Sequence, residues 1–124
     1  MRLTIGVVGS RRRDDLDSHR EVIRAVEVLM LRYRNKITAI VSGGCPKGAD
    51  RLAPLLAKKY GLTLVVHYPD WKRYGQAAPF VRNEKVADDA SYLVAAVAED
   101  RTGGTEDTIK KFLKRRPRRC LTLV

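Results

Sequence analysis

The sequence predicts a single α/β domain, a doubly wound sheet of about five parallel strands with helices on both faces. Three observations predict it. Short apolar runs alternate with segments of helical period along the whole chain. The runs are nearly continuous rather than alternating, which suits strands covered on both sides. Three of them end in glycine-bearing turns that lead into a helix.

The first strand is Leu3 to Val8. Ser18 to Glu21 reads SHRE, a capping box opening a helix whose buried stripe is Val22, Ile23, Val26, Leu29, Met30 and Tyr33. Ile37 to Val41 is the second strand. The helix over Asp50–Tyr60 stops at Gly61, a good left-handed terminator. Pro54 cannot donate to the preceding turn, so this helix starts later or begins irregularly. Leu62 to Val66 is the third strand. Tyr68–Gln76, YPDWKRYGQ, reads as a long irregular stretch, either a functional loop or an aromatic cover over an apolar edge. A helix over Ala78–Asp88, a strand over Tyr92–Val97, a helix over Thr105–Arg115 closed by Pro117, and a strand over Cys120–Val124 complete a Rossmann-like order.

At 124 residues the chain is one domain, 1–124, with 44% hydrophobic and 31% charged residues, in the range of folded globules. No apolar run approaches the ~20 residues of a membrane span, and no signal-peptide layout opens the chain. A cytoplasmic location without membrane attachment is expected. Two cysteines, Cys45 and Cys120, make neither a disulfide framework nor a metal cluster, and no metal or cofactor is expected. The net charge of +11 is largely local. Lys110–Arg119 carries seven basic residues and no acid, leaving 18 basic against 14 acidic residues elsewhere. Basic residues suit helix C-termini, where the dipole is negative, so this edge is a dipole-matched solvated surface or a nucleic-acid surface.

The chemistry is expected at the glycine turns. Gly6–Arg11 follows the first strand, Ser42–Gly48 the second and Thr102–Thr105 the fourth. Glycines let successive amides turn inward as an anion nest, and the following helix adds its positive end. Gly9, Ser10, Arg11, Gly43, Gly44, Lys47 and Gly48 are the candidates for phosphate. Asp50 either caps its helix or meets ribose hydroxyls. Cys45 reads as a space-filler, and His19 and His67 are isolated. Neither the GxGxxG dinucleotide fingerprint nor a P-loop is present, which disfavours a standard NAD dehydrogenase or a P-loop ATPase.

Four segments together, GVVGSR (Gly6–Arg11), VSGGCPKGAD (Val41–Asp50), FVRNEKV (Phe80–Val86) and TGGTED (Thr102–Asp107), resemble one superfamily. It is the SLOG group, which holds the Lonely Guy phosphoribohydrolases and DNA-processing protein A. The chain is most similar to its small YspA-like branch of unknown function. The resemblance implies a nucleotide or phosphoribosyl ligand, or single-stranded nucleic acid. Arg82, Asn83, Gly103, Gly104 and Thr105 are the candidates for the sugar-phosphate end, and Trp71 or Tyr74, from the 68–76 stretch, for covering the base. The resemblance also implies a homodimer, with Phe80, Val81 and Val86 offering an apolar surface on the third helix. The phosphoribohydrolases carry a PGGxGTxxE turn whose glutamate works with an arginine. Arg82 fits the arginine, but Asn83 stands where those enzymes have lysine and Thr108 stands at the glutamate position. Glu106 and Asp107 lie nearby but out of register, and Arg82 with Glu106 is the candidate catalytic pair.

Overall fold

Each apolar run becomes a strand of one parallel sheet in the computed structural model, which describes residues 2–124. The strands are β1 (Leu3–Gly9), β2 (Ile37–Ser42), β3 (Thr63–Val66), β4 (Tyr92–Ala96) and β5 (Leu121–Leu123), in the spatial order β3-β2-β1-β4-β5. The helices are α1 (Leu16–Arg32), α2 (Ala53–Tyr60), α3 (Trp71–Tyr74), α4 (Ala78–Asp89) and α5 (Gly104–Leu113). The chain steps outward from β1 to β3, then crosses back to lay β4 on the other side of β1. That reversal opens a crevice beyond the carboxyl ends of β1 and β4.

Successive residues of β1 serve opposite faces. Ile5 and Val7 pack with Val22, Val26 and Leu29 of α1 and Leu56 of α2, whereas Val8 packs with Val86 of α4 and Phe112 of α5. Each such aliphatic side chain contributes about 1.5–3 kcal/mol on full burial. The two layers fix α4 and α5 on one face, which is what later positions the site.

Local chemistry corrects several expectations. The capping box at Ser18 does not form. Asp15 is the N-cap, accepting from the Ser18 amide at 3.1 Å and from its hydroxyl at 2.5 Å. Ser18 is therefore buried inside the first turn, and Glu21 turns outward to Arg13 at 2.9 Å. Pro54 is accommodated because a 3₁₀ turn over Ala49–Leu52 precedes α2, leaving the proline in the first turn, where no donor is needed. Gly61 closes α2 at φ +65°, as its position predicts. Tyr68–Gln76 is not structureless: it holds α3, capped by Asp70, and a 3₁₀ turn over Gly75–Ala77. The helix expected to reach Arg115 ends at Leu113. The apolar surface expected on α4 shrinks to Phe80, because Val86 joins the core and Val81 is half-buried. Among the described residues no helix is long and apolar enough to cross a membrane.

If Asp15 supplies the cap, Asp15→Ala should lower the thermal unfolding midpoint while Glu21→Gln leaves it nearly unchanged. Equal losses in a melting experiment would restore the capping box.

Candidate functional site

A cleft of about 520 Å³ lies beyond the carboxyl ends of the central strands. Gly9, Ser10 and Arg11 reach it from the β1 turn, Gly43 and Gly44 from the β2 turn, and Gly103, Gly104 and Thr105 from the start of α5. Asp50, Trp71, Arg82 and Asn83 complete the set of expected residues that the fold brings together there.

The β2 turn is not an open anion nest. Its amides already have an acceptor in the chain. Asp50 sits buried beneath the turn, and its Oδ2 accepts from the Gly43 amide at 3.1 Å and the Cys45 amide at 3.4 Å. The Gly44 amide donates to the Ser42 hydroxyl at 3.1 Å. Asp50 is thus neither a helix cap nor a group free for ribose. Burial pushes its carboxyl above the usual range, against the opposing hydrogen bonds from Cys45 and Gly43 and the neighbouring charge of Arg82.

Arg82 lies one turn into α4, where side chains lean back toward the helix start and so toward the cleft. Its Nη1 donates to the Gly43 carbonyl at 2.6 Å and its Nε to Asn83 Oδ1 at 2.8 Å. Asn83 is buried, and its Nδ2 donates to Asp107 at 3.0 Å and to the Gly104 carbonyl at 3.4 Å. Asp107 also takes the Lys111 ammonium at 2.5 Å. Burial works against the Asp107 charge, but the hydrogen bonds from Lys111 and Asn83 prevail and hold its carboxyl below the usual range. The chain Gly43–Arg82–Asn83–Asp107 ties the β2 turn, α4 and α5 into one bracket. Gly43 is required by close approach: a Cβ there would stand 2.8 Å from Arg82 Cδ, 3.0 Å from its Nη1 and 3.1 Å from Asp50 Oδ2.

The α5 turn stays open to a ligand. In the β1 turn the Ser10, Arg12 and Arg13 amides are taken by the Ala96 carbonyl, the Ser10 hydroxyl and the Ser10 carbonyl, and the Arg11 side chain is what it brings to the cleft. Arg12 joins the two turns, donating to Asp100 at 2.8 Å and to the Thr102 carbonyl and hydroxyl at 3.0 and 2.9 Å. That hydrogen bond from Arg12 holds the Asp100 carboxyl well below the usual carboxylate range. No side chain caps α5, so its first amides and the positive end of its dipole face the cleft through Gly103, Gly104 and Thr105. Arg11 is exposed on the opposite wall and forms no ion pair among the described residues.

Four expected residues lie elsewhere. Lys47 is exposed and outside the cleft lining. The Gly48 amide is taken by Asp14 Oδ1 at 2.9 Å, and its φ of +81° folds the backbone against the Ser10 carbonyl, so it shapes the turn rather than holding an anion. Tyr74 lies beneath the cations of Arg73 and Lys85, away from the cleft, leaving Trp71 as the aromatic at its mouth. Glu106 is held by both its oxygens to Arg101, at 2.8 and 2.9 Å. Reasoning from sequence missed Arg12 and Asp14, whose partners lie 88 and 34 residues away and leave no local signal. Thr108 lines the cleft, with its hydroxyl near the Gly104 carbonyl at 3.4 Å. Counting register from Gly104–Thr105 does pick out this position, and it carries no carboxylate.

Residues 7–74 match the family model described as YspA, cpYpsA-related SLOG family. The chain belongs to that family. The matched span holds the β1 and β2 turns and ends within α3, so Arg82 and the α5 turn come from the part of this SLOG chain beyond it. No curated protein and no solved structure matches the chain.

Gly43→Ala should cost about 1–3 kcal/mol by forcing Arg82 or Asp50 aside, readable in denaturant unfolding. Asp50 also makes a pH prediction. A carboxyl with a raised folded pKa stabilises fully below its unfolded pKa and loses that contribution as pH rises through the folded value. Wild type should therefore lose stability relative to Asp50→Asn as pH climbs from the ordinary carboxylate range toward neutrality. A constant difference across that window would show that Asp50 ionises normally.

Proposed function

We propose that the cleft binds a nucleotide or phosphoribosyl derivative, with its phosphate at the uncapped start of α5. One observation carries this reading: α5's free amides, Arg11 and Arg82 converge on a single concave site with Trp71 at its mouth. Helix N-termini stabilise anions through unsatisfied amides and the dipole, and guanidinium forks match phosphate oxygens. Arg82 is positioned by Gly43 and Asn83 through Nη1 and Nε, which leaves Nη2 for the ligand. Membership of the SLOG family is compatible with a nucleotide-related ligand. Trp71 is exposed and offers a face for a base to stack on.

The reading is binding rather than cleavage of an N-glycosidic bond. Hydrolysis needs a carboxylate at the reacting carbon to stabilise an oxocarbenium-like state. Glu106 is paired with Arg101, Asp50 is wrapped by amides, and Asp107 is held by Asn83 and Lys111. Thr108 has only a hydroxyl to offer.

A nucleoside 5′-monophosphate should raise the melting midpoint and the matching nucleoside should not, because the phosphate supplies the main contacts. Arg82→Ala should weaken nucleotide binding by about 1–3 kcal/mol in calorimetric titration, as for a charge-assisted contact. Glu106→Gln should leave affinity unchanged. Equal stabilisation by nucleoside and nucleotide contradicts the reading.

A further inference from the structure

The sheet's opposite edge carries a second hollow, of about 330 Å³, at the starting ends of β1, β4 and β5. Arg2, Arg116 and Arg119 line it together with Ser91, Tyr92 and Cys120. No acidic residue lines it. All three arginines are exposed, and none forms an ion pair among the described residues. Arg115, by contrast, is engaged by Glu84 and Asp88. Arg116 spends only its Nε, on the Ala90 carbonyl at 3.4 Å.

Helix dipoles do not account for all of these charges: Arg116 meets the C-cap carbonyl of α4, but no hydrogen bond ties Arg2 or Arg119 to a helix end among the described residues. The dipole preference fades beyond the last turn of a helix. Arg119 lies well past the end of α5 at Leu113, and Arg2 precedes β1. Lys36, between α1 and β2, sits beside Arg2, since its carbonyl accepts from the Leu3 amide at 2.8 Å. Lys114 and Arg118 extend the same cationic edge on the β5 side and form no ion pair among the described residues. Concentrating like charge on one edge carries a cost in self-repulsion.

We infer that this edge, with Arg2, Arg116 and Arg119 at its centre, binds the phosphodiester backbone of a single-stranded nucleic acid. The cations continue on both sides of the hollow, so they suit a polymer of regularly spaced phosphates better than a single ion. Guanidinium forks fit phosphate oxygens bidentately. Tyr92 borders the hollow and stacks on Tyr33 with ring centroids 4.7 Å apart, which puts aromatic surface beside the phosphate track. Unpaired bases use such surface, whereas a duplex keeps its base faces covered. This site is separate from the nucleotide cleft, at the other end of the strands.

The test is fluorescence anisotropy with a labelled oligodeoxythymidylate of about 20 nucleotides, at several salt concentrations. Wild type should bind with an affinity that falls steeply with salt. The triple variant Arg2→Ala/Arg116→Ala/Arg119→Ala should bind at least tenfold more weakly. Its log–log salt slope should flatten by about 2, since each single-strand phosphate contact contributes about 0.7. Lys58→Ala/Lys59→Ala, which neutralises dipole-matched lysines at the end of α2, should change affinity less than threefold. The single variant Arg119→Glu, checked for folding by circular dichroism, should show the loss should the triple variant fail to fold. Equal losses in the triple and α2 variants would reduce the site to diffuse charge and overturn the inference. So would tighter binding of a duplex of the same length, or of anionic phospholipid vesicles, than of the single strand. Thermal stabilisation by a nucleoside monophosphate in the cleft is a separate readout, so failure here and failure of the cleft assignment are distinguishable.

Discussion

The close approach of Arg82 to the backbone of Gly43 is the constraint on which the cleft depends. A side chain at position 43 would occupy the space that Arg82 and Asp50 share. With glycine there, the guanidinium reaches the Gly43 carbonyl and the buried carboxylate gathers the turn's amides from below. Asn83 and Asp107 then carry the constraint to α5, so the helix end that faces the cleft is fixed relative to the arginine beside it. Pre-organisation of this kind reduces the ordering that a ligand must otherwise impose.

The bracket also explains a division of labour among the three glycine turns. They look alike in sequence because each must leave a strand and enter a helix in a few residues. Only the start of α5 presents uncapped amides to the cleft, while the β1 turn brings the Arg11 guanidinium. The β2 turn already holds an acceptor, the Asp50 carboxyl, in the position where an external phosphate was expected. Its role is internal: gathered around Asp50, it presents the Gly43 carbonyl that orients Arg82. Burial of such a carboxyl is tolerated only where hydrogen bonds and a counter-charge surround the group, as they do here.

The fold was legible because its signals are local. Apolar runs, the Gly61 stop and the period of Val22, Val26 and Leu29 each depend on a few neighbouring residues, and the parallel α/β class follows from their alternation. Much of the cleft was legible for the same reason, since strand ends and glycine turns mark the switch point. What escaped was partner choice. Nothing near Gly48 says that its amide belongs to Asp14, and nothing near Arg12 points to Asp100 and Thr102. Ser18 and Glu21 have the spacing of a capping box, yet Asp15 reaches the Ser18 amide first, and Arg13 takes Glu21. Glu106 lies next to the right turn but faces Arg101, because helical rotation points adjacent residues in different directions.

The central claim is that ligand phosphate meets the start of α5 while the β2 turn stays closed around Asp50. Backbone amide chemical shifts followed during titration with a nucleoside monophosphate test it most directly. The account predicts the largest changes at Gly104, Thr105 and Arg11, with Gly43, Gly44 and Cys45 nearly still. Dominant changes along Gly43–Gly48, with α5 unmoved, would contradict it.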